Sequence, residues 1–241
     1  SIGFGSFCGC SSLEEITLPS SLKVIGENAF RGCTELTKIE GLSSVTDIFD
    51  GAFRECSSLL KISITSHLSK LSKFVFANCT SLNEIIIPSS VELIDECAFY
   101  GCSSLAQITM PSSVTQIGEY AFGKCQKMKE IKICSSSSSL KIIGSNAFSG
   151  CSSLNQIIIP SSVTKIGDNA FINCTSIKKI EFENPSSISV IESGTFYHCS
   201  SLTEIIIPSS VTEIEYAAFK SCISLIKLKI PSSVIKIESN C

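Results

Sequence analysis

Fourteen cysteines, two histidines and clustered serines are the residues of this chain that could do chemistry. Thiols can cross-link, hold a metal or act as nucleophiles, and spacing decides among these roles. Ten of them, Cys10, Cys33, Cys56, Cys79, Cys102, Cys125, Cys151, Cys174, Cys199 and Cys222, each stand three residues after a phenylalanine. Residues at one phase of a repeat point the same way from successive turns. Strands about 4.8 Å apart hold such Cβ atoms beyond the ~3.8 Å a disulfide needs. The ten are therefore expected to be free thiols that pack as small buried hydrophobes. Cys8, Cys97, Cys134 and Cys241 fall off this column and show no evident pairing. No Cys-x-x-Cys occurs, so a zinc site is not expected.

The other candidates point away from catalysis. His67 and His198 lie five to six turns apart, on the order of 25 Å at a strand spacing near 4.8 Å. They cannot share a site, and both occupy repeat slots. The serines belong to Pro-Ser-Ser and Cys-Ser-Ser turns with no base in register, so no nucleophile and base are brought together. No Gly-rich phosphate loop or acidic calcium motif is present. The chain is read as non-enzymatic, with no cofactor and no metal. Asn78-Cys79-Thr80 and Asn173-Cys174-Thr175 match the N-glycosylation pattern. The same asparagines also suit a turn, and the pattern leaves both readings open.

The elements that position these residues follow from the repeat. Phenylalanines at Phe7, Phe30, Phe53, Phe76, Phe99, Phe122, Phe148, Phe171, Phe196 and Phe219 are 23 residues apart in seven of nine steps, and 26 and 25 apart in the others. One unit reads Leu-x-x-Ile-x-Ile-Pro-x-Ser-Val-x-x-Ile-Gly-x-x-Ala-Phe-x-Gly-Cys-x-Ser, as in Leu82 to Ser104. Ile85 and Ile87 alternate with outward positions as in a strand, and Pro88, lacking an N–H, ends it. A turn of irregular or 3₁₀ character is expected to return the chain through Val91, Ile94, Ala98 and Phe99. A unit this short cannot bury an apolar face alone, whereas stacked copies share a continuous core. Gly9, Gly32, Asn78, Gly101, Gly150 and Asn173, two residues after the phenylalanine, predict a left-handed turn residue there.

This pattern, intact from Leu105 to Cys125 and from Leu154 to Cys174, resembles the BspA-like, or Treponema pallidum-type, leucine-rich repeats over essentially the whole chain. The resemblance implies an α/β-type leucine-rich-repeat solenoid. It would consist mostly of short parallel β-strands with turns and 3₁₀ segments, about ten 23-residue repeats forming a curved right-handed superhelix. Members of this class include surface adhesins of bacteria and protozoa, so adhesion is implied by similarity alone. The usual buried asparagine after the strand is replaced by Ser21, Ser44, Ser90, Ser113, Ser139, Ser162, Ser187, Ser210 and Ser233, with His67 once. A serine ladder is expected there. Residues 1–241 read as one solenoid domain whose ends match mid-unit positions and supply no polar caps, so a fragment of a longer protein is expected.

With 19 basic against 22 acidic residues the net charge is 19 − 22 = −3, which gives no electrostatic reason to bind nucleic acid or an acidic membrane. No run approaches the ~18 apolar residues of a membrane span. In a leucine-rich solenoid the strands line the concave face. The outward central stripe would be Thr17, Glu40, Ser63, Ile86, Thr109, Lys132, Ile158, Glu181, Ile206 and Lys229, flanked by residues such as Glu84. Exposed isoleucines in a field of nearly cancelling charge suit a protein or glycan ligand better than a polyanion. The loops around Ser135 to Ser139 and Glu183-Asn184-Pro185 are added to the edge and are further candidates. The expected function is a cell-surface or extracellular binding module. An intracellular scaffold is the alternative, favoured by the unpaired cysteines.

Overall fold

The computed structural model describes residues 1–64, 67–133 and 138–241. Cys134 and part of the Ser135 to Ser139 insert lie outside them. The chain is a parallel β-solenoid with almost no helix, and its only 3₁₀ helix among the described residues is Leu42–Ser44. Nine successive stacking steps link the ladder phenylalanines, in keeping with about ten repeats.

Each turn contributes two strands. A strand of three or four residues, from Glu15–Thr17 in the first to Lys227–Lys229 in the last, pairs in parallel with at least one neighbour in the stack. A second strand of two residues, such as Leu93–Ile94, follows the proline turn and pairs likewise. The sequence reading expected only an irregular connection there. Two residues cannot display an alternation, so the second strand is invisible in the hydropathy pattern although Ile94 is its inward residue.

The core consists of columns. Ladder rings stack with centroids 5.1 to 5.8 Å apart, and Phe30 through Phe196 are fully buried. Offset aromatic pairs of this kind add roughly 0.5–1.5 kcal/mol each beyond area burial. The cysteine column is more than apolar filling. Cys56 Sγ donates to the Phe30 carbonyl of the preceding turn at 3.1 Å, and the same bond recurs from Cys33 to Cys222. Each such carbonyl also accepts the N–H of the cysteine in its own turn, as Phe30 does from Cys33 at 3.2 Å. The thiol therefore occupies a second lone pair that would otherwise be buried unmet. Only the first member, Cys10, is exposed, contrary to the expectation that all ten are buried.

The serine ladder forms as expected. Ser90, Ser113, Ser162, Ser210 and Ser233 donate their hydroxyls to the carbonyls of Leu68, Val91, Leu140, Ile188 and Val211 at 2.6–2.8 Å. The slot two residues after the phenylalanine is left-handed throughout, including at Glu55, Lys124, His198 and Ser221. A second left-handed column runs two residues before it, through Asn28, Gly51, Phe74, Cys97, Tyr120, Asn146, Asn169 and Gly194. Bulky residues such as Phe74 and Tyr120 adopt this conformation at a local cost, because the stacked turns fix the backbone on both sides. No buried side-chain nitrogen or oxygen among the described residues lacks a partner.

Two outcomes follow. Phe99→Ala removes a ring packed between Phe76 and Phe122. It should lower unfolding free energy by about 3–5 kcal/mol in denaturant titration, with amide exchange rising in both adjacent turns. Brief alkylation of the native chain at pH 8, read by mass spectrometry, should modify Cys8, Cys10 and Cys241 and spare the column thiols Cys56, Cys79, Cys102, Cys125, Cys151, Cys174 and Cys199. Burial pushes the Cys151 thiol up to about 12 and those of Cys33 and Cys222 to about 11, and only thiolate reacts.

Candidate binding face

The period-two alternation of the longer strands sends Ile85, Ile157 and Ile205 into the core and their neighbours Ile86, Ile158 and Ile206 outward, where they are 74%, 48% and 52% exposed. The remaining residues of the expected stripe, Thr17, Glu40, Thr109, Lys132 and Lys229, are also exposed, as is flanking Glu84, while Glu181 is half-buried. Pairing is in register, so Ser63 lies beside Ile86, Ile158 beside Glu181 and Ile206 beside Lys229. Charges on the face are mostly neutralised locally. Lys38 meets Glu40 at 2.7 Å, Lys132 meets Glu130 at 3.5 Å, Lys227 meets Glu204 at 2.6 Å, and Lys179 pairs with Glu181. Glu40 is held below the ordinary carboxylate range by its bond to Lys38.

The ladder of longer strands is not continuous. Lys179–Phe182 pairs over four residues with Gln156–Ile159, but with Glu204–Ile206 only at Lys179 and Glu204. Two extra residues of this 25-residue unit, around Glu183-Asn184-Pro185, follow the strand; among the described residues three other joints of the longer strands are unpaired altogether. The joint with Glu204–Ile206 opens a cavity of about 650 Å³ between Phe182 and Asn184 on one side and Ile206 and Ser209 on the other. A smaller cavity of about 290 Å³ lies over the unpaired joint between Glu84–Ile86 and Gln107–Met110, beside Ile86 and Lys132. Sequence reasoning identified the exposed isoleucines and the insert but not the cavities, since loss of pairing is a property of two turns.

Asn78 and Asn173 sit in the left-handed column with φ of 60°. Asn173 is exposed, and its Oδ1 lies 2.9 Å from His198 Nδ1. Asn78 is half-buried. His67 and His198 are not brought together. A group that the sequence reading missed is Asp168, Glu192 and Glu215, whose carboxylate oxygens lie within 4.8 Å of one another. These are the oxygen donors of a hard cation, and Glu192 and Glu215 are half-buried. Burial, then Glu215, raises the Glu192 pKa, and Lys165 at 4.0 Å offsets this only partly.

The sequence profile described as "BspA type Leucine rich repeat region" matches residues 1–105 and 127–241 in six copies. No curated protein matches the chain. Among solved structures, a leucine rich cell surface protein from Faecalibacterium prausnitzii is 32% identical and superposes with a TM-score of 0.62, covering 99% of this chain and 73% of its own. The leucine rich repeat protein of T. pallidum is 28% identical, with a TM-score of 0.57 over 73% of this chain and 70% of its own. A leucine-rich repeat protein from Eubacterium ventriosum shares the fold at 22% identity, with a TM-score of 0.63 over 99% and 78% of the two chains.

A raised carboxyl pKa means that the fold disfavours the charged form. The contribution is fully favourable below the unfolded value and is lost as pH rises through the folded one. Glu192→Gln should therefore stabilise the chain at pH 7 by roughly 0.2–1 kcal/mol, the scale of a relieved like-charge pair. The difference from wild type should vanish in thermal melts below the carboxylate range.

Proposed function

We propose that this chain, which belongs to the BspA-type leucine-rich-repeat family, is a non-enzymatic binding module of a cell surface. It would recognise a host or extracellular protein or glycan through its strand face. The observation that carries this reading is the row of exposed Ile86, Ile158 and Ile206 among locally neutralised charges. Apolar groups held in water by a rigid sheet favour a ligand that covers them. Paired charges give little long-range attraction to a nucleic acid or an anionic membrane, so neither is proposed as a partner. Display at a surface is supported by the F. prausnitzii relative, whose description is that of a cell surface protein. Among the described residues no helix is long and apolar enough to cross a membrane.

The free thiols favour a second reading, an intracellular scaffold, because unpaired cysteine is commoner in reducing compartments. Burial weakens that argument, since most of these thiols are shielded and held protonated. Ile86→Lys, Ile158→Lys and Ile206→Lys combined should abolish capture by immobilised extracellular-matrix proteins or by glycans on an array, whichever the wild type binds. Circular dichroism and the melting transition should stay unchanged, as all three side chains point outward. Undiminished capture by the folded variant would move the site off this face.

A further inference from the structure

The cavity at the split joint carries a narrower inference, which rests on the strand-face reading above. We infer that it binds a carboxylate-bearing sugar, of the uronic or sialic acid kind. Its volume of about 650 Å³ is in the range of small-ligand sites, and its lining has an uneven chemistry. Lys179 is neutralised by Glu181, and Glu204 by Lys227. Lys229 has no ion-pair partner among the described residues, although it stands in register beside Ile206 and its side chain is exposed. One cation is therefore left over, and it calls for one negative charge in the ligand.

The remaining walls divide into two kinds. Ile206 and Phe182 offer apolar surface to the C–H face of a pyranose ring. Glu181 and Glu204 present carboxylates, which accept hydrogen bonds and donate none, and Asn184 and Ser209 supply groups that do either. A ligand with several hydroxyl donors, one carboxylate and one apolar face satisfies all of these. A neutral sugar leaves Lys229 without a counter-charge. An acidic peptide matches Lys229, but its donors are backbone N–H groups spaced one per residue, whereas a pyranose presents several hydroxyl donors around one ring. The two cavities noted above are not equivalent, because Lys132 at the smaller one is already bonded to Glu130.

The test is titration of the full chain with glucuronate and with N-acetylneuraminate, followed by calorimetry and by ligand-observed NMR. Glucose and a short Glu-rich peptide serve as comparators. Lys229→Met and Ser209→Ala, both at exposed positions, are assayed alongside. At least one acid sugar should bind more tightly than glucose. Lys229→Met should weaken it roughly tenfold or more, the scale of a hydrogen bond to a charged group, and Ser209→Ala less. Equal binding of glucose and the acids, undiminished binding by folded Lys229→Met, or preference for the peptide would each overturn the inference. So would the absence of acid-sugar binding by the wild type while Ile86→Lys, Ile158→Lys and Ile206→Lys together still abolish matrix or glycan capture, an outcome that leaves the strand-face reading standing.

Discussion

The carbonyl of each ladder phenylalanine sets the period of the molecule. It accepts one hydrogen bond from the cysteine N–H three residues later and another from the thiol of the following turn. The phenylalanine N–H is tied forward in turn, as Phe30 N–H is to the Ala52 carbonyl at 2.8 Å. Ring stacking alone would tolerate sliding along an apolar column, since burial is non-directional. Two directional bonds to one oxygen do not. The Phe-x-x-Cys segment therefore fixes successive turns in register, and the rest of each unit is fitted to that registration.

This constraint decides where irregularity can go. In the 26- and 25-residue units the thiol bonds persist, from Cys151 to Phe122 at 3.1 Å and from Cys199 to Phe171 at 3.3 Å. The phenylalanine edge is thus untouched, and the additional residues of the 25-residue unit follow its longer strand Lys179–Phe182. The ladder of longer strands varies there: Lys179–Phe182 pairs with Glu204–Ile206 at one residue pair only, and Lys38–Glu40 with Lys61–Ser63 and Glu84–Ile86 with Gln107–Met110 not at all, although those units have the regular length. A solenoid held at one edge can vary at the other without global cost, because its stability is a sum of local terms. The strand face and its joints thus have the freedom to acquire pockets, and a cavity of about 650 Å³ on this face lies at such a joint.

What could be read from the sequence follows the same division. The phenylalanine, cysteine and serine columns each use nearly one residue type per slot, so phase alone reveals them. The outward isoleucines are legible for the same reason. The left-handed column through Phe74, Cys97 and Tyr120 is not, because the stacked backbone imposes the conformation on whatever residue is there. Asp168 escapes as well. It lies one position later in its turn than Glu192 and Glu215 do in theirs, where Gly167 holds the equivalent slot, so a search by phase separates groups that space brings together. The Gly118, Gly144 and Gly167 series explains why that slot is so often glycine. A Cβ on Gly144 would lie 2.7 Å from the Gly118 carbonyl carbon.

The thiol column also bears on where such a protein can work. A chain with many unpaired cysteines suggests a reducing compartment when composition is the only guide. Here the thiols hydrogen-bond to carbonyls, and desolvation holds Cys79, Cys125 and Cys174 far above the ordinary thiol range. Both oxidation and disulfide exchange proceed through the thiolate, so these groups are kinetically protected wherever the chain resides. Their geometry gives a second protection, since each sulfur is directed at a carbonyl and the column is buried from Cys33 to Cys222. Free cysteine in this fold is therefore a structural donor, and its abundance carries no information about the redox state of the surroundings. Only Cys8, Cys10 and Cys241, the exposed ones among the described cysteines, report on that.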